Sequence, residues 1–98
     1  MEKVVIYGSI AVRPDEVERI TAIAAEFVAA VHEEEGCAAY DLSWDVVDPT
    51  VLRLVEHWVS DEAYQVHRVQ PHVAEWATTI TAAQAAPLSA SKFRATDY

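Results

Sequence analysis

Apolar positions change period several times along this chain, and each change marks an element. Lys3 to Val12 is rich in β-branched residues and reads as a strand, broken by Arg13-Pro14-Asp15, where the proline suits a helix start. Val17, Ile20, Ala24, Phe27, Val28 and Val31 then recur at three and four residues, while Glu16, Arg19, Glu26 and Glu33 fall largely on the other side. That spacing predicts a long amphipathic helix, and Gly36 supplies the left-handed residue that ends it. After Cys37 the period drops to two: Tyr40, Leu42, Trp44 and Val46 share one face, and Asp41, Ser43 and Asp45 the other. Asp48-Pro49-Thr50 turns the chain into a third strand, Val51 to Val59. Its faces carry Leu52, Leu54, Glu56 and Trp58 on one side and Arg53, Val55, His57 and Val59 on the other.

Ser60 caps a short helix with Asp61 and Glu62 in its first turn. Pro71 starts a second helical segment, and because the residue before a proline avoids the helical region, Gln70 marks a bend between Ala63 to Val69 and His72 to Gln84. Ala85-Ala86-Pro87 ends the helices, and Leu88 to Thr96 reads as a last strand. The order is that of an α+β, ferredoxin-like βαββαβ sandwich, with helices over one face of a four-stranded antiparallel sheet. At 98 residues there is room for one domain, 1–98, and one core. Three Trp, four Tyr and two Phe cannot all hide in so small a monomer, and Val55 and Val59 would lie on the uncovered sheet face. Two sheets packed face to face in a homodimer would cover them.

A formal charge of −9 repels phosphate backbones and anionic lipid, and the seven Lys and Arg form no stripe, so nucleic acid is not an expected partner. Glu33-Glu34-Glu35 reads as a solvated acidic face. The apolar runs are too short or interrupted for the about 20 residues of a membrane-spanning helix. With one cysteine, Cys37, and no signal-peptide pattern after Met1, the chain is expected to be cytoplasmic. Cys37 reads as a small packing residue with no neighbouring base.

The residues able to do chemistry gather around the junction between the third strand and the helix that follows it. Glu56 sits mid-strand on the helix-facing side, where a carboxylate must find a partner. That partner is either structural, a backbone amide or a hydroxyl such as Tyr40, or functional, an imidazole or a substrate hydroxyl. His67 can point into a pocket floored by Trp58 and Glu56, which makes it the best candidate base, with His72 as a second. Trp44, Trp58, Trp76, Tyr40 and Tyr64 are candidates to line an apolar pocket for a flat aromatic molecule; Trp58 and Tyr64 are expected nearest the cavity, and Trp76 mainly in packing. His67 and His72 are five apart with Pro71 between them, and His57 points away from Glu56, so no metal site is expected. His32 is expected to favour the dipole at the end of the first helix.

Glu35-Gly36-Cys37, Tyr40, Asp48-Pro49, Glu56, Trp58, Ala63, His67 and Pro71-His72 together resemble the antibiotic biosynthesis monooxygenase domain family, and its small quinol monooxygenase-like members in particular. The resemblance spans nearly the whole chain. It implies a dimeric α/β-barrel that needs no flavin, haem or metal and oxidises an electron-rich phenol, hydroquinone or anthrone with dioxygen. His67 would take the phenolic proton, Glu56 would orient that imidazole or the substrate's hydroxyl, and Trp58 and Tyr64 would hold the ring. Haem-degrading relatives carry a tryptophan about where His67 stands and a histidine near Trp76-Ala77, so the resemblance does not extend to haem. It leaves two other readings open: a non-enzymatic barrel binding a small hydrophobic ligand, and an isomerase acting on a small carbonyl compound with the same base.

Overall fold

A computed structural model of the chain describes residues 2–96. Strand β1 (Lys3–Ala11) leads through one 3-10 turn at Pro14–Glu16 into helix α1 (Val17–His32). Strands β2 (Cys37–Trp44) and β3 (Val51–Trp58) follow, then helices α2 (Asp61–Arg68) and α3 (Pro71–Ala83) and strand β4 (Ser89–Ala95). The strands form one sheet in the order β2-β3-β1-β4 with every neighbouring pair antiparallel, and the helices lie on one face of it. This is the ferredoxin-like α+β arrangement read from the periodicity. The helical break falls where proline requires it: Gln70 is extended (φ −70°, ψ 142°) and caps α3, with Pro71 in the first position. Among the described residues no helix is long and apolar enough to cross a membrane.

Strand alternation decides what the helices cover. Val4, Ile6 and Ile10 of β1, Tyr40 of β2, and Leu52, Leu54 and Trp58 of β3 are buried beneath them. From the helices, Ile20, Phe27 and Val31 of α1 and Ile80 and Ala83 of α3 complete the core. Phe27 sits between Trp76, stacked at 4.4 Å and 4° between rings, and Tyr40, edge-on at 5.6 Å. Gly36, at φ +84°, lets the chain turn from α1 into β2 while passing close to α2; a Cβ there would stand 2.6 Å from the Cβ of Ala63. On the opposite face of the sheet, Val5 is in register with both His57 and Phe93, and Tyr7 with Val55, so these side chains form a patch that no helix covers.

Strand β2 is shorter than its alternation predicts. It ends at Trp44, and Val46 is almost fully exposed in the turn that follows. Asp45 is the cause. Its Oδ1 accepts the backbone N–H groups of Val47 (2.7 Å) and Asp48 (3.0 Å), and its Oδ2 takes the Arg53 guanidinium at 2.8 Å. The side chain thus offers the backbone an alternative to the ladder.

Candidate active site

Alternation along β3 turns Glu56 inward between Leu54 and Trp58, and the chain then reverses within a few residues. Ser60 makes that reversal possible by accepting the Ala63 N–H at 3.1 Å, which caps α2 directly after the strand. Helix α2 therefore lies back over the end of β3 and delivers His67 from its last turn onto Trp58, with ring centroids 4.5 Å apart. Glu56 and His67 are 5% and 4% exposed, so both polar groups are held out of bulk water.

The polar atoms form a chain. Trp58 Nε1–H donates to Glu56 Oε1 at 2.9 Å, and His67 Nε2 lies 3.5 Å from the same oxygen. On the other edge of the imidazole, Nδ1 is 2.9 Å from Oε2 and 3.1 Å from Oε1 of Glu34. His72 Nε2 reaches Glu34 Oε2 from the far side at 2.7 Å. Burial pushes the Glu56 carboxyl above the ordinary carboxylate range; the Trp58 N–H and the charge of His67 oppose that shift, and Glu34 adds to it. Tyr40 is raised far above the ordinary tyrosine value by burial and by the nearby carboxylates, and burial raises Tyr64 as well. Both therefore stay protonated phenols, able to donate a hydrogen bond and unsuited to act as bases. Burial also raises the Cys37 thiol, with Glu34, Glu56 and Asp41 adding to the shift, which suits its reading as an inert packing residue.

Glu56, His67, Tyr40 and Tyr64 open onto one cleft of about 280 Å³ between the sheet and helices α2 and α3. Leu54, Val73, Ile80 and one edge of Trp76 supply apolar wall, and Arg68 stands at the rim over the Tyr64 ring. The mix of apolar surface with a few converging polar groups is that of a small-molecule site. Among the described residues no group of three or more His, Cys, Asp or Glu side chains is arranged to hold a metal ion.

Several expected placements change. Trp58 is wholly buried with its indole N–H on Glu56, and it is not among the residues that line the cleft. Glu56 finds its partner in that indole, not in a backbone amide or Tyr40. Trp44 faces elsewhere, its indole bonded to Thr21, and Trp76 both packs on Phe27 and edges the cleft. His72 lies outside the cleft, behind Glu34, and His32 bonds the Tyr40 carbonyl at 3.1 Å, tying α1 to β2. Glu34 is the residue sequence reasoning missed: its side chain is 9% exposed and does not belong to a solvated face. A signal was there, because position 34 continues the buried stripe of Phe27 and Val31 at helical spacing.

A sequence model of the antibiotic biosynthesis monooxygenase family matches residues 3–79 of the chain, from β1 almost to the end of α3. The chain belongs to this family. The match takes in every residue of the Trp58–Glu56–His67–Glu34–His72 chain, so the polar constellation lies inside the family's own domain. Solved structures agree in fold. A crystal structure described as an antibiotic biosynthesis monooxygenase is 25% identical, covers 99% of this chain and 100% of its own, and superposes with a TM-score of 0.86. A conserved protein from Methanosarcina mazei is similar over 98% of this chain and 95% of its own at 18% identity, with a TM-score of 0.91. Rv0793 from Mycobacterium tuberculosis is similar over 98% and 97% at 23% identity, with a TM-score of 0.88. No curated protein matches the chain.

Proposed function

We propose that this family member is a cofactor-independent monooxygenase that oxidises an electron-rich phenol, hydroquinone or anthrone with dioxygen. The observation that carries the reading is that His67 and Glu56, whose Nε2 and Oε1 are 3.5 Å apart, both line a cleft walled by phenol and indole rings. A deprotonated phenol is itself a strong one-electron donor, so the protein need supply only a base and a dry enclosure. His67 is that base, because neither Tyr40 nor Tyr64 can ionise near neutral pH. Glu56 faces the substrate oxygen, while Tyr40 and Tyr64 orient the ring. The phenolate passes an electron to dioxygen, and the two radicals combine to form a carbon–oxygen bond. Cleavage of the resulting hydroperoxide leaves one oxygen atom on the ring and releases the other as water. Both hydrogens of that water come from the substrate, so no external reductant is consumed. A passive ligand-binding barrel has no need of a buried acid and imidazole facing the same cavity.

The test is oxygen consumption against a panel of hydroquinones and anthrones, with and without a chelator. Uptake with at least one of them, unchanged by chelator, is the expected result. Proton exchange on a carbonyl substrate without oxygen uptake would replace this reading by the isomerase, and inertness toward the whole panel would overturn it.

The functional unit is proposed to be a homodimer built on the uncovered sheet face. Tyr7 and Phe93 are half exposed there beside Val5 and Val55, and His57 Nε2 is buried on that face without a hydrogen-bond partner. A second copy would cover the patch and supply groups for that nitrogen. Sedimentation at micromolar concentration is expected to give twice the 10.9 kDa chain mass. Val55→Glu, which places a charge at the centre of the patch beside Asp41 in register, is expected to halve it. A wild-type chain that sediments as a monomer would remove the dimer.

A further inference from the structure

We infer that Glu34 is the positioning carboxylate of this site: it takes the Nδ1–H of His67, fixing the tautomer whose bare Nε2 faces Glu56 and the cleft, while His72 clamps it from the solvent side. The inference rests on His67 being the base, yet the geometry behind it involves no substrate.

Two imidazoles converge on one buried carboxylate, His67 Nδ1 at 2.9 Å and His72 Nε2 at 2.7 Å from the same Oε2. A carboxylate only accepts, so the nitrogen that each ring turns toward it carries the proton. A neutral His67 then has its lone pair on Nε2. Glu56 does not compete for that ring: its Oε1 already takes the Trp58 N–H at 2.9 Å and stands 3.5 Å from Nε2, too far for a good hydrogen bond. Glu34 is itself firmly placed. Its backbone N–H donates to Val31 O at 2.9 Å, and its carbonyl accepts the Cys37 N–H at 3.3 Å, on the two sides of the turn into β2. The Glu34 side chain is 9% exposed and that of His72 29%, so His72 stands between the carboxylate and water. A buried acid with two charge-assisted donors is satisfied where it sits. Without it, the imidazole would choose its own tautomer, and Nε2–H donating to Glu56 is the available alternative. A base in that state cannot accept the substrate's proton, and loss of an orienting carboxylate is known to cost orders of magnitude in rate through the wrong tautomer.

The measurement is the tautomer of His67, read from its two ring-nitrogen shifts in a long-range nitrogen–proton correlation spectrum of labelled protein without substrate. Wild type is expected to show Nδ1–H with a bare Nε2. Glu34→Leu is expected to exchange the two patterns and to lower kcat about 100-fold, with KM changed less than threefold, on whichever quinol the oxygen-uptake panel identifies. Glu34→Gln, which keeps an acceptor oxygen, is expected to retain the wild-type tautomer and to recover at least tenfold of the lost rate. Nε2–H in the wild-type protein would overturn the assignment, and so would an unchanged tautomer in Glu34→Leu or a switch produced by Glu56→Gln instead. If Glu34→Leu does not fold, the wild-type and Glu34→Gln spectra decide. A protein inert toward every quinol would remove the monooxygenase reading and leave the tautomer measurement standing, so the two failures are distinct.

Discussion

His67→Ala is expected to lower turnover of the quinol by about 10²- to 10⁴-fold, the range for removing a general base. The reason is specific to this cleft. Tyr40 and Tyr64 are held protonated by burial, so neither phenol facing the cleft can take the proton when the imidazole is gone. Added imidazole is expected to restore part of the rate, because the vacated volume opens on the cleft. Stability is a separate readout: Glu34 keeps His72 as a partner in the variant, so the fold should persist by circular dichroism. Full turnover in His67→Ala with every active substrate would remove the base from position 67 and the proposed chemistry with it.

Trp58 carries the largest expected effect on stability. It has no solvent exposure, packs against the His67 ring and provides the hydrogen bond that satisfies Glu56. Trp58→Ala is expected to cost about 3–5 kcal/mol for the cavity and about 1–3 kcal/mol more for the unpaired carboxyl, enough to unfold a domain of marginal stability. Trp58→Phe separates the two contributions, since it retains much of the ring volume and deletes the donor. The indole N–H opposes the rise in the Glu56 pKa, so its loss moves that value further above the ordinary carboxylate range. A carboxyl whose folded value lies above its unfolded one stabilises the fold below the unfolded value, and that contribution is lost as pH rises through the folded value. The stability gap between wild type and Trp58→Phe is therefore expected to be smaller near pH 4 than near pH 8. Urea unfolding at those two pH values checks it; a gap equal at both would mean that the indole acts by packing alone.

Much of the fold was legible because periodicity is a local property. The switch from a helical stripe through Val17, Ile20, Phe27 and Val31 to alternation through Tyr40, Leu42 and Trp44 marks α1 and β2, and Pro71 places the break between α2 and α3. Element ends were less legible. Asp45 ends β2 by capturing two backbone N–H groups, and the strand pattern, which would have carried on to Val46, does not reveal that competition. That Glu56 and His67 would meet at one cleft was legible because each is unusual in its own element, an acid in an apolar strand face and a histidine after a capped turn. Trp58 was assigned to the ligand because an aromatic residue beside a candidate site reads the same whether it lines the cavity or stands behind it.

By itself the sequence determined which residues alternate, which recur every three or four, where proline and glycine interrupt them, and so the order and sidedness of strands and helices. Only the tertiary structure decided that Glu34, inside a run of three acids, leaves solvent to join His67 and His72, 33 and 38 residues further along the chain. The physical reason is range. Burial patterns are set by neighbours within a turn or a strand, whereas the orientation of a buried imidazole depends on whichever carboxylate tertiary packing, here of the turn after α1 against α2 and α3, brings within 3 Å of it.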